Sequence, residues 1–402
     1  MAWLRTFVKW MTNTRLARRG VGEMGERPIY LDCNATTPTE PAVIELMVRA
    51  MADEPGNAGS RTHEYGSSAQ RAVERARANV AAVVSADPDE VLFTSGATES
   101  NNLALMGLAA HGERTGRRHI VATTIEHKAV LEPLEALSRR GFSISLAPVD
   151  RSGVVNPRAL ADLLRPDTLL VSLMHVNNET GALQPLEEVA KVLDGHPAFL
   201  HTDAAQGFGK DLEPLRMPRL DLISVTAHKI YGPKGVGALV ARRRGGTRLP
   251  LSPLMYGGGQ ERGLRPGTLP VHLLLGFGEA CRLALADNAA RTAACLRFRE
   301  RLLTKLHPLE PTIIGDMRRT LPNTLSLSFS GLDSEAVMLA VKQYVAISNG
   351  SACTSASYSP SHVLLAMGLK QPEAESATRW SWSHQTPDPD WDGVVRAIKR
   401  LK

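Results

Sequence analysis

Apolar and polar positions along the chain follow two rhythms. Short apolar, β-branched runs occur at Val91-Leu92-Phe93, His119 to Thr124, Thr168 to Met174, Phe199-Leu200, Leu220 to Val225 and Val236 to Val240. Each ends in small or polar side chains, as expected of strands buried on both faces. Between them the spacing turns helical. Ala69, Val73, Ala76, Val80 and Val83 form one apolar face, with Arg71, Glu74, Arg75 and Arg77 elsewhere, and a second helix is predicted near Pro41 to Met51. Strands alternating with helices imply an α/β fold with a mostly parallel sheet flanked by helices.

The two ends of the chain read differently. Ile29 to Asp32 predicts a short strand and Asn34 to Pro38 a turn. Val271 to Leu306 predicts one long helix bridging to a smaller α+β domain. In that domain Leu325, Leu327 and Phe329 alternate with serines, as in a half-buried strand, and residues 334–343 look helical. Gly257 to Arg262 predicts a flexible loop, and the small polar residues from Ser348 to Ser357 an exposed loop or strand edge. The expected division is an extension at 1–27, expected to be disordered, a large domain at 39–288, and a small domain made of 28–38 and 289–402.

Composition adds bounds. The chain has 402 residues, 43% hydrophobic and 22% charged, which is ordinary for a globular protein. No apolar run has the length of a membrane span. The net charge of +6 speaks to association rather than to fold. Cys33, Cys281, Cys295 and Cys353 form no CxxC pair, which points to a reducing compartment, expected to be the cytoplasm, and away from a structural zinc or other metal site. In the extension, Arg5, Lys9, Arg15, Arg18 and Arg19 precede the first acid, Glu23. A transit peptide, a patch for anionic surfaces and sequence upstream of a true start at Met24 all fit; the last is favoured.

Candidate chemistry lies at strand ends. Lys229 follows the run ending at Val225, and Asp203 closes the run at Phe199. A lysine in such a place suits covalent capture of an aldehyde, and a carboxylate suits a protonated ring nitrogen, the pair that pyridoxal phosphate requires. Gly96-Ala97-Thr98 lies between a strand and a helix, where free N–H groups bind phosphate. His127 also follows a strand and is able to stack on a ring and move protons. Cys353, among glycine, serine and threonine, has the access that a reactive thiol needs, whereas Cys281 and Cys295 sit in apolar helical context.

From about Ile29 to Arg379 the chain resembles the cysteine desulfurases, pyridoxal phosphate enzymes of the aminotransferase-like fold type I. The likeness is carried by ATTP (35–38), FTSGATES (93–100), EHKAVL (126–131), MHVNNE (174–179), HTDAAQ (201–206), AHKIYGPKG (227–235), GGGQERG (257–263), PGTLPVH (266–272) and GSACTSAS (350–357) in that order. The resemblance implies that Lys229 carries the cofactor, His127 stacks on its ring, Asp203 pairs with the ring nitrogen and Gln206 bonds the phenolic oxygen. It implies a phosphate site of Thr98, Thr226 and His228 with Thr268 from the second subunit of a homodimer. Asn178 and Arg379 would hold the substrate carboxylate, with Asn34 also on the substrate side. L-Cysteine would become L-alanine, with Lys229 taking the Cα proton, His127 accepting the substrate thiol's proton and Cys353 receiving the sulfur as a persulfide for an acceptor protein.

Departures from the family pattern are Pro266, where serine is usual, the segment Trp380 to His384, and an end at Lys402 without a longer tail. With Cys33-Asn34, Asn349 and Tyr358, the pattern looks closer to desulfurases of DNA phosphorothioation systems than to those of iron–sulfur assembly or tRNA thiolation. Two other readings stand beside it: an aminotransferase or lyase without sulfur transfer, which Cys353 does not fit, and a non-catalytic nucleic-acid or scaffold-binding protein, which would be expected to have lost Lys229 or Cys353. Direct nucleic-acid or membrane binding is not expected.

Overall fold

The computed structural model describes residues 27–349 and 360–402. The extension through residue 26 and the Cys353 loop lie outside the described residues. Twelve strands are used below: β1 (Ile29–Tyr30), β2 (Val91–Thr94), β3 (His119–Thr123), β4 (Ser143–Ala147), β5 (Thr168–Ser172), β6 (Phe199–Asp203), β7 (Leu222–Thr226), β8 (Gly237–Ala241), β9 (Thr312–Ile314), β10 (Thr324–Ser328), β11 (Val345–Ala346) and β12 (Ala377–Ser381).

The β-branched runs assemble into one seven-stranded sheet, ordered β2-β8-β7-β6-β5-β3-β4. The neighbours from β7 to β4 pair in parallel, whereas β8 runs antiparallel to both β7 and β2. Parallel strands need crossovers, and helices supply them on both faces, which is why β2, β3, β5, β6 and β7 are buried along their whole length. On one face α1 (Pro41–Asp53) and α2 (Glu64–Val83) pack with α5 (Val271–Ala286). On the other, α3 (Ala97–Gly107) packs with α4 (Lys128–Arg139).

A second apolar core forms around a three-stranded antiparallel sheet, β12-β10-β9, and includes Leu325, Leu327, Phe298, Trp380 and Trp382. β1 pairs in parallel with β11 beside it. From β1 the chain crosses to the large sheet. Cys33 N–H donates to the Ser381 carbonyl (3.0 Å), and Thr37 N–H to the His228 carbonyl (3.0 Å). Residues 31–37 therefore tie both sheets to the turn that carries Lys229.

Three sequence expectations change. The single long helix breaks at Asp287 into α5 and α6 (Asn288–Leu306). Just past the break, Asn288 Nδ2 donates to the carbonyls of Gly209 and Lys210, which ties the start of α6 to the large domain. β10 is not half-buried, because it is the middle strand of three and both Thr324 and Ser326 are enclosed. The glycine-rich loop is anchored. Glu261 is buried, pairs with Arg77 (2.7 Å) and also accepts from Phe93 N–H (2.7 Å). No helix among the described residues is long and apolar enough to cross a membrane.

Candidate active site

Parallel strands deliver their C-terminal ends to one edge, where backbone amides and carbonyls point outward and ligands bind. At that edge lies a cavity of about 690 Å³. Every site residue expected from the sequence lines it except Thr268, which is exposed on its loop, and Cys353, which lies outside the described residues.

Asp203 ends β6 and is 5% exposed. Its Oδ2 accepts from Asn101 Nδ2 at 2.7 Å and its Oδ1 from Ala205 N–H at 2.9 Å. Both carboxylate oxygens are thereby oriented by residues from two elements. Asn101, on α3, was not singled out by sequence reasoning; its place five residues after Gly96 was the available signal.

Lys229 lies in the 3₁₀ turn Ala227–Lys229 after β7. Its Nζ donates to the carbonyls of Asn34 and Ala35, the latter at 2.8 Å. The Asn34 carbonyl also accepts from Gln206 Nε2 (2.9 Å), while Gln206 Oε1 is buried without a partner among the described residues. Burial, then the charges of Lys229, Lys234 and Lys210, push the His228 imidazole down to about 4, so the ring is neutral. Its Nδ1 meets Thr36 Oγ1 at 3.1 Å.

The turn before α3 is shaped for close approach. Gly96 adopts φ 155° and ψ −179°, a region that only glycine occupies readily. Gly237, between Thr94 and Thr226 in the sheet, lets that turn pass, since a Cβ there would stand 2.6 Å from Gly96 Cα and 2.4 Å from the Val225 carbonyl oxygen. Ser95 N–H donates to Glu99 (2.6 Å), and Glu99 pairs with Arg265 (2.9 Å). Burial opposes ionisation of Glu99, but the bonds from Arg265 and Ser95 outweigh it and hold the carboxyl below its usual range.

His127 caps α4, its Nδ1 accepting from Ala129 N–H at 3.0 Å. The neutral ring therefore carries its proton on Nε2. Arg379, on β12, is buried and well engaged: one terminal nitrogen donates to Asp32 (2.6 Å) and the other to the Asn178 carbonyl (3.0 Å), while Nε has no partner among the described residues. Asp32 and Lys234 also belong to this neighbourhood and were not singled out from the sequence. Asn34 Nδ2 joins the Asn178 carbonyl (3.1 Å) to Thr324 Oγ1 (3.0 Å), fixing the wall on the side of the smaller sheet.

The donor set fits pyridoxal phosphate. Lys229, Lys234 and Arg379 line the cavity against one carboxylate, Asp203, so its charge suits an anionic phosphate and a carboxylate. The orphaned Gln206 Oε1 offers an acceptor, and α3 presents its N-terminus.

Fold and site define a class: residues 29–391 match the family described as Aminotransferase class-V, whose enzymes use this cofactor. Within that class the likeness narrows. The chain is 44% identical over 386 residues to a mitochondrial cysteine desulfurase of Arthroderma benhamiae, covering 96% of this chain and 76% of that one. It is 41% identical to the human cysteine desulfurase, over 94% of this chain and 83% of that one. Among solved structures, DndA from Streptomyces lividans shares 51% identity at a TM-score of 0.78, covering 87% of this chain and 98% of that one. A NifS-like protein shares 36% at a TM-score of 0.84, covering 93% and 98%. The chain belongs to the cysteine desulfurase family: it is a pyridoxal phosphate-dependent enzyme that transfers sulfur from cysteine.

Proposed function

We propose that the enzyme converts L-cysteine to L-alanine, with Cys353 receiving the sulfur as a persulfide and passing it to an acceptor protein, favoured to belong to a DNA phosphorothioation system. The observation that carries the reading is the meeting of Lys229, Asp203, His127 and Arg379 in one cavity. The pathway reading rests on Cys33-Asn34, Asn349 and Tyr358. A split into domains at 28–38 with 289–402, and 39–288, is supported by the separate core around the three-stranded sheet.

When bound, pyridoxal phosphate supplies an aldehyde that captures amines and a ring that draws electrons from the substrate's Cα. Asp203, oriented by Asn101, would hold the ring nitrogen, and the Gly96 turn with Thr98, Thr226 and His228 would hold the phosphate. The substrate carboxylate would meet Asn178 and Arg379, using Nε and taking the place of present partners such as Asp32. Lys229 Nζ would take the substrate's Cα proton. The Cys353 thiolate attacks the substrate sulfur; an S–S bond forms, the Cβ–S bond breaks, and its electron pair stays with carbon, which is protonated to alanine. The cap on Nδ1 makes resting His127 a proton donor at Nε2. Accepting the thiol proton there requires release of Ala129 N–H.

Two variants test this assignment. Lys229→Ala should lose the absorbance of covalently held cofactor and all alanine release. Cys353→Ser should keep the cofactor and bind cysteine yet form no persulfide, because a hydroxyl is a poor nucleophile toward sulfur. Alanine release by the first, or persulfide mapped to Cys33, Cys281 or Cys295 in the wild type, would overturn it.

A further inference from the structure

A second cavity, of about 180 Å³, lies among Lys210, Tyr231, Arg291, Cys295 and Asn323. It is separate from the cofactor cavity, and none of the roles assigned above uses it. The stem of Lys210 is partly exposed, but its Nζ is sealed from solvent and has no hydrogen-bond partner among the described residues. Nε of Arg291 is also buried and unpartnered. The Arg291 charge is paired elsewhere, but a buried cation such as Lys210 without an acceptor is costly, and a second unpartnered donor lining the same cavity adds to that cost.

The surrounding acids do not supply the missing charge. Glu40 is engaged by Arg291 (2.9 Å), His384 (3.1 Å) and Gln385 (2.6 Å). Asp287 lies 3.7 Å from Arg291. Asp211 is held by His175 Nε2 (2.9 Å). The titratable neighbours that act on Lys210 are two thiols, and burial pushes Cys33 up to about 12 and Cys295 up to about 11. Both are neutral near pH 7, as is Tyr231, whose phenol burial also raises. Burial pulls the Lys210 amine down to about 8, which leaves most of it charged at pH 7.

We propose that this cavity binds one small monovalent inorganic anion, of halide size, held by Lys210 Nζ and Arg291 Nε. The volume holds such an ion with some of its water, and the apolar side chains of Leu183, Ile230 and Leu321 in the lining strengthen the attraction by lowering the local dielectric. The site bears on catalysis through charge. Lys210 is one of the cations that depress His228, and Cys33 precedes Asn34, whose carbonyl receives Lys229. An anion here would shield the cofactor cavity from one positive charge.

Bromide is the probe. Crystals of the holoenzyme grown without halide and soaked in sodium bromide should show an anomalous bromine peak within hydrogen-bonding reach of Lys210 Nζ. Lys210→Met should lose that peak while bromide sites elsewhere in the crystal persist. In solution, bromide replacing gluconate at constant ionic strength should raise the Tm of wild type and leave that of Lys210→Met unchanged. Water alone in the wild-type cavity, with surface bromide sites filled, overturns the proposal, and so does an equal Tm response in both proteins. If Lys210→Met does not fold, the wild-type crystal decides by itself.

Discussion

Glu126 stands one residue before His127 and is enclosed. Its Oε1 accepts from Thr123 Oγ1 (2.6 Å) and Met174 N–H (2.9 Å), while Oε2 has no partner. Burial, against those bonds and with the help of nearby Asp203, raises its carboxyl to about 8 from the usual 4.5. The folded state thus holds a proton that the unfolded chain releases near 4.5. The stabilisation is complete below that pH and is lost as pH rises through about 8. At about 1.4 kcal/mol per unit its upper bound is on the order of 5 kcal/mol. Glu126→Gln should remove this component, so the Tm of wild type should fall relative to the variant between pH 5 and 8.5. Parallel Tm profiles would refute it. Asn101 offers a second test at this scale. Asn101→Ala removes one of the two bonds that orient buried Asp203, a loss of about 1–1.5 kcal/mol, and should weaken cofactor binding about tenfold in equilibrium dialysis. Unchanged affinity would show that Asp203 needs only Ala205 N–H.

At the scale of elements, the loop of residues 257–268 and strand β2 are held by one buried ion pair. Arg77, on α2, places its guanidinium 4.7 Å from the centre of the Phe93 ring, donates to the Val91 carbonyl (2.9 Å) and forks onto both oxygens of Glu261 (2.7 and 2.8 Å). Glu261→Ala would leave the buried guanidinium with only the longer, exposed contact to Glu74 (3.4 Å) and Phe93 N–H without its acceptor. Removing one partner of a buried pair costs about 3–5 kcal/mol, so the Tm should drop by several degrees. The double change Arg77→Met with Glu261→Met should recover much of that loss. If the single variant melts with wild type, the pair is not what anchors the loop.

At the scale of the whole molecule, two features favour a homodimer with shared sites. Ile44, Val48 and Met51 form an apolar stripe on the outer face of α1 and are 49%, 40% and 58% exposed, and Tyr256, in the loop after β8, is 87% exposed. Thr268 is exposed and does not line the cavity of its own chain. A partner's loop would bring its Thr268 to the phosphate. Inactive Lys229→Ala chains co-expressed with inactive chains carrying a disruptive Thr268 change should then yield hybrids in which one site collects both defects and the other neither. Activity should return at about half the wild-type level per hybrid dimer, since one of two sites is intact. Proven hybrids no more active than their parents, or a fully active monomer in sedimentation, would defeat the shared-site reading.

The position of the candidate site was legible in the sequence wherever one residue type stands at a strand end. Lys229, Asp203 and the Gly96 turn are of that kind, because short β-branched runs mark the strands and the polar residue after each run marks the edge. Alternating rhythms likewise determined the parallel sheet, since a crossover helix needs its own apolar face. What the sequence left open depends on partners far along the chain. Asn101 meets Asp203 across 102 positions, Arg77 meets Glu261 across 184, and Arg379 meets Asp32 across 347. No local pattern encodes such pairs, because each residue alone has the ordinary look of a solvated polar side chain. Only the packed fold removes the water that would otherwise satisfy them, and with it decides that burial raises the Glu126 carboxyl and that Lys210 Nζ has no hydrogen-bond partner among the described residues.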